Sequence, residues 1–331
     1  MRALQLVEYG HFEVVELPAP EIAADEVLIK VRACGICGSD VHGMDGSTGR
    51  RIPPIVMGHE ASGDIVSVGS RTAGWKPGDR VTFDSTIFCG ACPYCLSGRV
   101  NLCDNRQVLG VSCGDYRRQG AFAEFVAVPK RVLCRLPERL SYEWAAMVEP
   151  VAVSVHGVMR AGVQSNDRVV VIGAGMIGLL VVQVLKARGV AGITAIDIDP
   201  AKRRLATELG ADRTAESSAG MDLDVAIDAV GITETVDMAL RSVRKGGRVS
   251  LIGNFSPTVE WPLQVAVTRE LSVFGSCASQ GDYEESLELI ASGSVEVETM
   301  ISARIGLEDA AGYFDRLHAR ESGLMKVMVC P

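Results

Sequence analysis

A glycine-rich turn between two apolar segments constrains the fold of this chain more than any other feature. The turn, Gly173-Ala174-Gly175-Met176-Ile177-Gly178, follows the apolar run Val169 to Ile172 and opens the helical pattern Met176 to Arg188. In this context the first glycine permits a tight turn, the second lets the backbone approach a pyrophosphate, and the third allows helix and strand to pack closely. The N-terminus of the helix adds N–H donors and positive dipole. The segment therefore predicts a nucleotide site, and a βα turn without a ligand is the less favoured interpretation.

Apolar strands and helices alternate from Val169 to Gly275. Strands are predicted at Val169 to Ile172, Ile193 to Ile196, Val225 to Ile227, Val249 to Ile252 and Leu271 to Gly275, and helices at Met176 to Arg188, Pro200 to Leu209 and Thr233 to Val243. Continuous apolar strands that alternate with helices indicate an α/β unit, in which a parallel sheet is covered on both faces.

The N-terminal part has the pattern of short β-strands instead. Alternating or β-branched runs occur at Glu13 to Leu17, Glu26 to Val31, Ser62 to Val68 and Phe122 to Val128, with turn signals between them. Short strands at close intervals predict a small barrel or sandwich. A helical stretch follows from Ser141 to about Gly162, and Pro150 is expected to kink or break it. The chain ends with a predicted helix at Leu307 to Ala319 and a strand at Lys326 to Val329, compatible with a return to the first domain.

Asp197 ends the second strand of the α/β region, about 20 residues beyond the last glycine of the turn. A carboxylate at this position accepts hydrogen bonds from ribose hydroxyls and repels a 2′-phosphate, so NAD is favoured over NADP. Lys202 and Arg203 follow on the next helix, where a cation can accommodate that phosphate. For these two residues, solvated surface charge is about as good an interpretation as a cofactor contact.

Four of the ten cysteines, Cys89, Cys92, Cys95 and Cys103, fall in one loop that is rich in turn residues. Their close spacing lets four thiolates form one tetrahedral shell, and a closed shell of soft ligands is typical of structural zinc. Such a site orders a loop that has little core of its own. An iron–sulfur cluster is a weaker alternative, and four unrelated core cysteines do not suit so polar a loop.

A second set of metal-ligand residues lies at Cys37 and at the pair His59-Glu60. A thiolate, an imidazole and a carboxylate suit zinc, and three protein ligands leave a fourth position at which a substrate oxygen can be polarised. Ser39 and His42 follow Cys37 and could carry a proton away. Taken singly, Cys37 is by default a small core residue, and His59 a structural histidine. Their combination with Glu60 and a later Glu149-Pro150 favours chemistry on an alcohol or carbonyl.

Composition limits the partners and the compartment. The 331 residues are enough for two domains, and a formal net charge of −8 argues against nucleic acid or an anionic membrane as partner. Residues 169–185 are apolar except for Gln183, but they fall short of the ~20 residues that a membrane span needs, and glycines divide them into strand and helix. The N-terminus lacks the charged and apolar regions of a signal peptide. We therefore expect a cytoplasmic protein that acts on a small molecule.

Together these motifs resemble the zinc-dependent medium-chain dehydrogenases of the alcohol dehydrogenase superfamily, and they are most similar to the sorbitol (polyol) dehydrogenase branch. The resemblance spans essentially the whole chain and rests on Gly35 to His42, Gly58-His59-Glu60, the four-cysteine loop, Glu149-Pro150 and the dinucleotide turn. It implies a GroES-like catalytic domain over residues 1–151 and 289–331, which carries both zinc sites, and a Rossmann NAD-binding domain over residues 152–288. It also implies a cleft between the domains and a homo-oligomer, either a tetramer or a dimer.

The resemblance implies roles for individual residues. Those matching the catalytic centre are the zinc ligands Cys37, His59 and Glu60, the fourth acidic position Glu149, and the proton-relay residues Ser39 and His42. Those matching cofactor contacts are Ile177, Asp197, Lys202, Ile252-Gly253-Asn254 and Ser276-Cys277-Ala278. The implied reaction removes hydride from a secondary alcohol of a polyol, a sugar alcohol or its phosphate, reduces NAD and yields a ketone.

The chain departs from this pattern in two places. Sorbitol dehydrogenases hold the polyol with an arginine and a tyrosine where this chain has Ala278 and Ser279, which puts sorbitol itself in doubt. The segment from Gly210 to Val225 is short, so one Rossmann helix is expected to be reduced or missing. For the basic pairs Arg50-Arg51 and Arg117-Arg118, solvated surface charge is favoured over contact with a phosphate.

The sequence is compatible with other functions as well. Within enzymes the alternative is oxidation of an amino alcohol, as in L-threonine 3-dehydrogenases, which share the zinc motifs. A catalytically silent NAD-binding regulator is a different class, against which the intact ligand set argues. A zinc-ribbon interaction module is disfavoured by the acidic net charge and by the dinucleotide turn.

Overall fold

Two units make up the chain in the computed structural model, which describes residues 1–113 and 116–331. One unit contains residues 1–149 and 297–331, and the other contains residues 150–296. The sequence predicts domain boundaries directly after residue 151 and directly after residue 288. The second of these falls inside a helix that continues to Ala291, whereas the division in the structure falls after Glu296.

Strands and helices are numbered in chain order. The strands are β1 (Arg2–Glu8), β2 (His11–Glu16), β3 (Glu26–Gly35), β4 (Ile55–Val56), β5 (Glu60–Val68), β6 (Arg80–Phe83), β7 (Thr86–Ile87), β8 (Gln107–Val108), β9 (Ser112–Cys113), β10 (Tyr116–Arg117), β11 (Phe125–Pro129), β12 (Leu133–Arg135), β13 (Val169–Ile172), β14 (Ile193–Ile196), β15 (Arg213–Ala215), β16 (Leu223–Asp228), β17 (Val243–Leu251), β18 (Ser272–Gly275), β19 (Ile301–Ile305) and β20 (Lys326–Val329). The α-helices are α1 (Gly38–Val41), α2 (Pro93–Leu96), α3 (Tyr142–Ala146), α4 (Val148–Arg160), α5 (Met176–Ala187), α6 (Pro200–Glu208), α7 (Thr233–Ser242), α8 (Leu263–Thr268), α9 (Tyr283–Ala291) and α10 (Leu307–His318). Short 3₁₀ helices lie at Val100–Leu102, Lys130–Val132 and Glu298–Met300.

The first unit is β-rich, as the sequence predicts. Its larger sheet has the strand order β12-β6-β5-β3-β20-β19, and β11 pairs with the first half of β3. Along β3 the side chains of Val27, Ile29 and Val31 are buried and that of Lys30 is exposed, because successive side chains of a strand point to opposite faces. A smaller sheet has the order β2-β1-β4.

The C-terminal segment belongs to this first unit. Strand β20 runs antiparallel to the end of β3, with Met328 opposite Gly35. The buried ring of Phe314 on α10 lies 4.5 Å from the Phe12 ring and 5.8 Å from the Phe122 ring. Each such aromatic pair contributes about 0.5–1.5 kcal/mol beyond burial. Segments from both ends of the chain therefore share one hydrophobic core.

The second unit is built on a parallel sheet, which confirms the predicted α/β class. Its six strands have the order β15-β14-β13-β16-β17-β18, and every residue of β13 and β14 is buried. The chain order reverses between β13 and β16, and ligands of such sheets bind at the carboxyl ends of the strands beside this point. Residues 216–222, all of which are described, form no helix, so the predicted loss of one helix is confirmed.

The helical stretch is interrupted at Met147, before Pro150, and not at Pro150 itself as expected. Helix α3 ends at Ala146 and α4 begins at Val148, so Pro150 lies in the first turn of α4. Proline is tolerated there because an N–H in the first turn has no acceptor within the helix. The apolar stretch 169–185 is divided between β13 and α5, as predicted, and no helix in the described part of the chain has the length and apolarity to cross a bilayer.

Candidate metal and nucleotide sites

The three predicted ligands of the catalytic metal meet at one end of the larger sheet of the first unit. Cys37 directly precedes α1, His59 directly precedes β5, and Glu60 is the first residue of β5. Gly35 is paired with Glu60 across β3 and β5, which brings the cysteine and the carboxylate together. The Cys37 sulfur, a ring nitrogen of His59 and a carboxylate oxygen of Glu60 lie within 4.8 Å of one another. His59 and Glu60 are buried and Cys37 is partly exposed, so the set is accessible from the Cys37 side.

Asp40 is a buried partner of His59. Its Oδ2 lies 3.4 Å from His59 Nδ1, and its Oδ1 accepts hydrogen bonds from Arg51. Burial alone raises the pKa of Asp40, but His59 and Arg51 outweigh burial and hold the pKa well below its ordinary value. Burial lowers the pKa of His59, whereas Asp40 and Cys37 outweigh it and raise the pKa above its ordinary value. Because Nδ1 faces Asp40, Nε2 is available to a metal.

Lys326 is a buried partner of Glu60. Its Nζ donates to Glu60 Oε2 at 2.5 Å and to the carbonyl oxygen of Ile36 at 3.1 Å. Burial alone lowers the pKa of Lys326, but Glu60 and Cys37 outweigh it and raise the pKa. Gly35 makes room for the pair, since a Cβ at Gly35 would overlap the Glu60 carboxylate. The sheet therefore holds one Glu60 oxygen against a lysine beside the metal-ligand set.

Glu149 lies in the first turn of α4 and is not one of the mutually close ligands Cys37, His59 and Glu60. Its side chain keeps some accessible surface, yet protein atoms crowd its carboxyl, and this burial raises the pKa of Glu149 to about 7. His59 and Lys326 oppose that rise, and Glu60 adds to it. The Glu149 carboxyl is thus within electrostatic reach of the ligand set.

Ser39 contacts the same set, and His42 lies three residues further along the chain. Ser39 Oγ donates to Cys37 Sγ at 3.3 Å and accepts from Arg51 Nη2 at 3.2 Å. His42 follows α1 and is half-buried, and burial, with smaller effects from Arg320 and His318, lowers its pKa. A histidine that is neutral near physiological pH can take up a proton and release it to solvent.

The four-cysteine loop closes around a common centre. The sulfurs of Cys89, Cys92, Cys95 and Cys103 all lie within 4.8 Å of one another. The N–H groups of Ala91 and Cys92 point at Cys89 Sγ, each at 3.4 Å, and lower the pKa of Cys89 to about 6. The N–H of Cys95 likewise lowers the pKa of Cys92. Donors that stabilise thiolates suit a tetrahedral structural zinc.

The predicted cofactor residues gather at the carboxyl edge of the parallel sheet. Gly173 follows β13, Asp197 follows β14, residues 252–254 follow β17, and residues 276–278 follow β18. Met176 and Ile177 form the first turn of α5. Asp197 accepts a hydrogen bond from the Ala174 N–H at 2.9 Å, which places its carboxylate beside the glycine turn. Lys202 lies in the first turn of α6 and is half-buried.

The three glycines of the turn have different surroundings. Gly173 has φ +91°, and a Cβ there would overlap Val230. A Cβ on Gly178 would overlap the carbonyl oxygen of Gly173, because helix and strand approach closely at this point. Around Gly175 the described residues leave open space, with no atom within 4 Å of a Cβ position. Room beside the second glycine is what the close approach of a pyrophosphate requires.

Comparison with known proteins identifies the family. The alcohol dehydrogenase GroES-like domain matches residues 23–138, and the zinc-binding dehydrogenase domain matches residues 177–292. The sorbitol dehydrogenase of Bacillus subtilis (strain 168) is 33% identical over 350 residues, which cover 100% of this chain and 97% of that protein. The chain belongs to the zinc-dependent medium-chain dehydrogenases. The predicted family and the pairing of a GroES-like with a Rossmann-like domain are thereby confirmed.

Further similar proteins agree with this assignment. The D-arabitol-phosphate dehydrogenase of Enterococcus avium is 33% identical, with 97% of this chain and 94% of that protein covered. A structure from Sinorhizobium meliloti 1021, described as a zinc-binding dehydrogenase bound to NADP, is 36% identical with a TM-score of 0.91. That match covers 100% of this chain and 99% of the other.

The residues of this dehydrogenase fit both groups that the family uses. The sulfur, nitrogen and oxygen donors of Cys37, His59 and Glu60 form a mixed set that suits a catalytic zinc, and the four cysteines form a closed set that suits a structural one. The open space at Gly175 fits a dinucleotide.

Asp40 and Lys326, to which the sequence analysis gives no role, contact the ligands His59 and Glu60 of this dehydrogenase, and Arg51 contacts Asp40 behind them. The interpretation of Arg51 as solvated surface charge is wrong, since its side chain is only 3% exposed. The same prediction is wrong for Arg118, whose half-buried guanidinium is paired with Glu26. Arg50 and Arg117 are exposed, as predicted. The sequence signal for Lys326 is a lysine directly before the apolar residues 327–329 of a predicted strand, and the structure shows that this whole strand is buried.

Proposed function

We propose that this dehydrogenase oxidises a secondary alcohol of a polyol, or of a polyol phosphate, to a ketone with NAD as the hydride acceptor. The observation that carries the proposal is the mixed ligand set of Cys37, His59 and Glu60, with the Ser39 hydroxyl 3.3 Å from the Cys37 sulfur. The names of similar proteins, sorbitol dehydrogenase and D-arabitol-phosphate dehydrogenase, support the substrate class.

The chemistry divides between the metal, the cofactor and the side chains. Zinc, held by Cys37, His59 and Glu60, supplies Lewis-acid polarisation of the substrate hydroxyl. Ser39 Oγ accepts the hydroxyl proton and releases its own proton towards His42, which exchanges it with solvent. NAD, which the residues at the carboxyl edge of the parallel sheet would hold, would supply the acceptor for the hydride that the substrate carbon loses, so that the alcohol would be oxidised as NAD is reduced.

We propose the residues at the carboxyl edge of the parallel sheet as the cofactor contacts, with NAD favoured over NADP. Asp197 supports this preference, because a carboxylate beside the glycine turn repels a 2′-phosphate. Arg203 Nη1 donates to the carbonyl oxygens of Asp197 and Ile198 at 2.6 and 3.1 Å, so this nitrogen is already engaged by the backbone. Rates with NAD and NADP, compared as kcat/KM, test the preference.

We propose a homo-oligomer, a tetramer or a dimer, in the cytoplasm. Strand β18 lies at an edge of the second unit's sheet, and pairing with a second copy would remove that edge. Leu263 and Val267 on α8 are each 65% exposed, which an interface would cover. No disulfide joins any of the ten cysteines, all of which lie in the described residues, and reduced cysteines persist in a reducing compartment. Light scattering on the purified protein tests the assembly.

A metal analysis and a substrate panel test the function. We expect about two zinc ions per chain, and NADH formation with polyols or polyol phosphates. The panel includes paired substrates, such as arabitol and its phosphate, together with L-threonine. Turnover of L-threonine alone would assign the enzyme to the amino-alcohol class. Absence of turnover with the whole panel would favour a silent NAD-binding regulator.

A further inference from the structure

Arg51 lies in the loop between α1 and β4, and its side chain extends to two residues beside the metal ligands Cys37 and His59. Its side chain is 3% exposed, and its Nε and Nη2 both donate to Oδ1 of Asp40, at 3.1 and 2.7 Å. Nη2 also donates to Ser39 Oγ at 3.2 Å. One guanidinium therefore contacts both the partner of a metal ligand and the hydroxyl that is placed to accept the substrate proton.

The backbone provides space for this side chain. A Cβ on Gly43 would lie 2.5 Å from Arg51 Cγ and 3.0 Å from the carbonyl oxygen of Ser39. Any larger residue at Gly43 would displace the arginine stem or the turn that carries Ser39. The course of Arg51 into the site thus depends on the local shape of the α1 turn, and the side chain is held on several sides.

The two oxygens of Asp40 have different partners. Oδ1 accepts from Arg51, and Oδ2 faces His59 Nδ1 at 3.4 Å. Asp40 is fully buried and the His59 side chain is 8% exposed, so the guanidinium of Arg51 supplies a permanent charge that helps to balance the carboxylate in this pocket. A carboxylate held in place by arginine can in turn fix the ring orientation of His59 and direct Nε2 to the metal.

The contact with Ser39 limits what its hydroxyl can do. A serine hydroxyl has two lone pairs and one O–H. Arg51 occupies one lone pair and the O–H is directed at Cys37 Sγ, so the other lone pair is left to accept the proton of a substrate hydroxyl. The contact with Arg51 therefore orients the Ser39 hydroxyl for proton transfer.

We propose that Arg51 is a positioning residue that acts on two parts of the site at once, on the metal ligand His59 through Asp40 and on the Ser39 hydroxyl directly. The second part rests on the proposed function, whereas the first concerns metal binding alone. Arg51 holds Asp40 against His59 in the absence of substrate, and it orients Ser39 when a substrate alcohol is present.

Metal affinity tests the first part without any substrate. Arg51→Met should weaken zinc binding at the catalytic set by about 10–100-fold, the usual effect of losing a partner behind a metal ligand. The readouts are competition with a chelator and the thiolate-to-metal band of the cobalt-substituted protein. Arg50→Met is the matched control, because Arg50 is the exposed neighbour, and it should leave both readouts unchanged.

A double-mutant cycle with Asp40→Asn shows whether the effect passes through Asp40. If it does, Arg51→Met adds little to the loss caused by Asp40→Asn, because both variants break the same chain of contacts. Wild-type affinity in Arg51→Met, or losses that simply add, would overturn the proposal. Thermal unfolding of the zinc-free variants shows whether each is folded, and Arg51→Gln, which removes the charge but keeps a polar side chain, takes the place of Arg51→Met if that variant does not fold.

Arg51→Lys separates the two parts. Lysine keeps the charge beside Asp40, but its single nitrogen lacks the planar fork that reaches Asp40 and Ser39 together. We expect metal affinity near that of the wild type and, at saturating zinc, a roughly tenfold lower kcat with little change in KM. An unchanged kcat would overturn the role at Ser39. If the wild type turns over no alcohol, the proposed function fails while the metal-binding result stands.

Discussion

Lys326→Met tests whether a buried lysine stabilises the arrangement that holds the Glu60 carboxylate in the metal site. The side chains of Lys326 and Glu60 are 3% and 1% exposed, and Nζ donates to Glu60 and to the carbonyl oxygen of Ile36. Methionine keeps most of the apolar stem of lysine but removes the charge and the N–H donors. In the zinc-free protein the variant leaves the Glu60 carboxylate buried without its ion-pair partner.

The expected loss is large because water does not reach the pair. Removing one member of a buried ion pair destabilises a fold by about 3–5 kcal/mol. At about 1.4 kcal/mol for each factor of ten, the ratio of folded to unfolded protein falls by roughly two to four powers of ten. Adding Glu60→Gln should recover part of the loss, because the amide removes the uncompensated charge.

Urea unfolding of the zinc-free protein measures these changes in the free energy of unfolding. Lys30→Met is the matched control, since Lys30 is an exposed lysine on β3 of the same sheet. We expect that control to change the free energy of unfolding by no more than about 0.5 kcal/mol. If Lys326→Met costs no more than Lys30→Met, the lysine is not needed to balance Glu60 and the reasoning is refuted.

Three further predictions concern the proposed roles of single residues. Ser39→Ala should lower turnover while the zinc content stays normal, because Ser39 moves a proton and is not one of the closely spaced ligands; unchanged kcat would reject the relay. Cys95→Ser should lose about one zinc per chain and lower the thermal midpoint, whereas Cys330→Ser, the control, should keep both zinc ions. Asp197→Ser should raise the ratio of kcat/KM for NADP over NAD roughly tenfold, equivalent to about 1.4 kcal/mol, and an unchanged ratio would show that Asp197 does not select the cofactor.

Much of the fold was predictable because its signals are local. The strands at Val169–Ile172 and Ile193–Ile196 have the predicted bounds, since a continuous apolar run in an alternating pattern has few other uses. The displaced break near Pro150 shows the limit of such signals. Proline stops a helix in its interior but is accepted in the first turn, and periodicity does not reveal where a helix begins.

The site was predictable only in part. Cys37 and the pair His59-Glu60 were found because their side chains are the usual zinc ligands, and the four cysteines because their spacing is short. The prediction of surface charge at Arg51 was wrong, because the residues that precede it in sequence are polar or glycine and its partner Asp40 is identified only by folding. Composition near a charged residue therefore says little about whether that residue is buried.

The sequence by itself determined the types of donor available to the metals and the glycine turn for a nucleotide, because each depends on residue chemistry at short spacing. Only the tertiary structure decided how the charges behind those donors are balanced. Lys326 meets Glu60 because β5 and β20 both pair with β3 near Gly35, although 266 residues separate the two in the chain. Pairing between distant strands depends on the register of the whole sheet, and a charge buried by that register needs a partner brought by the same pairing.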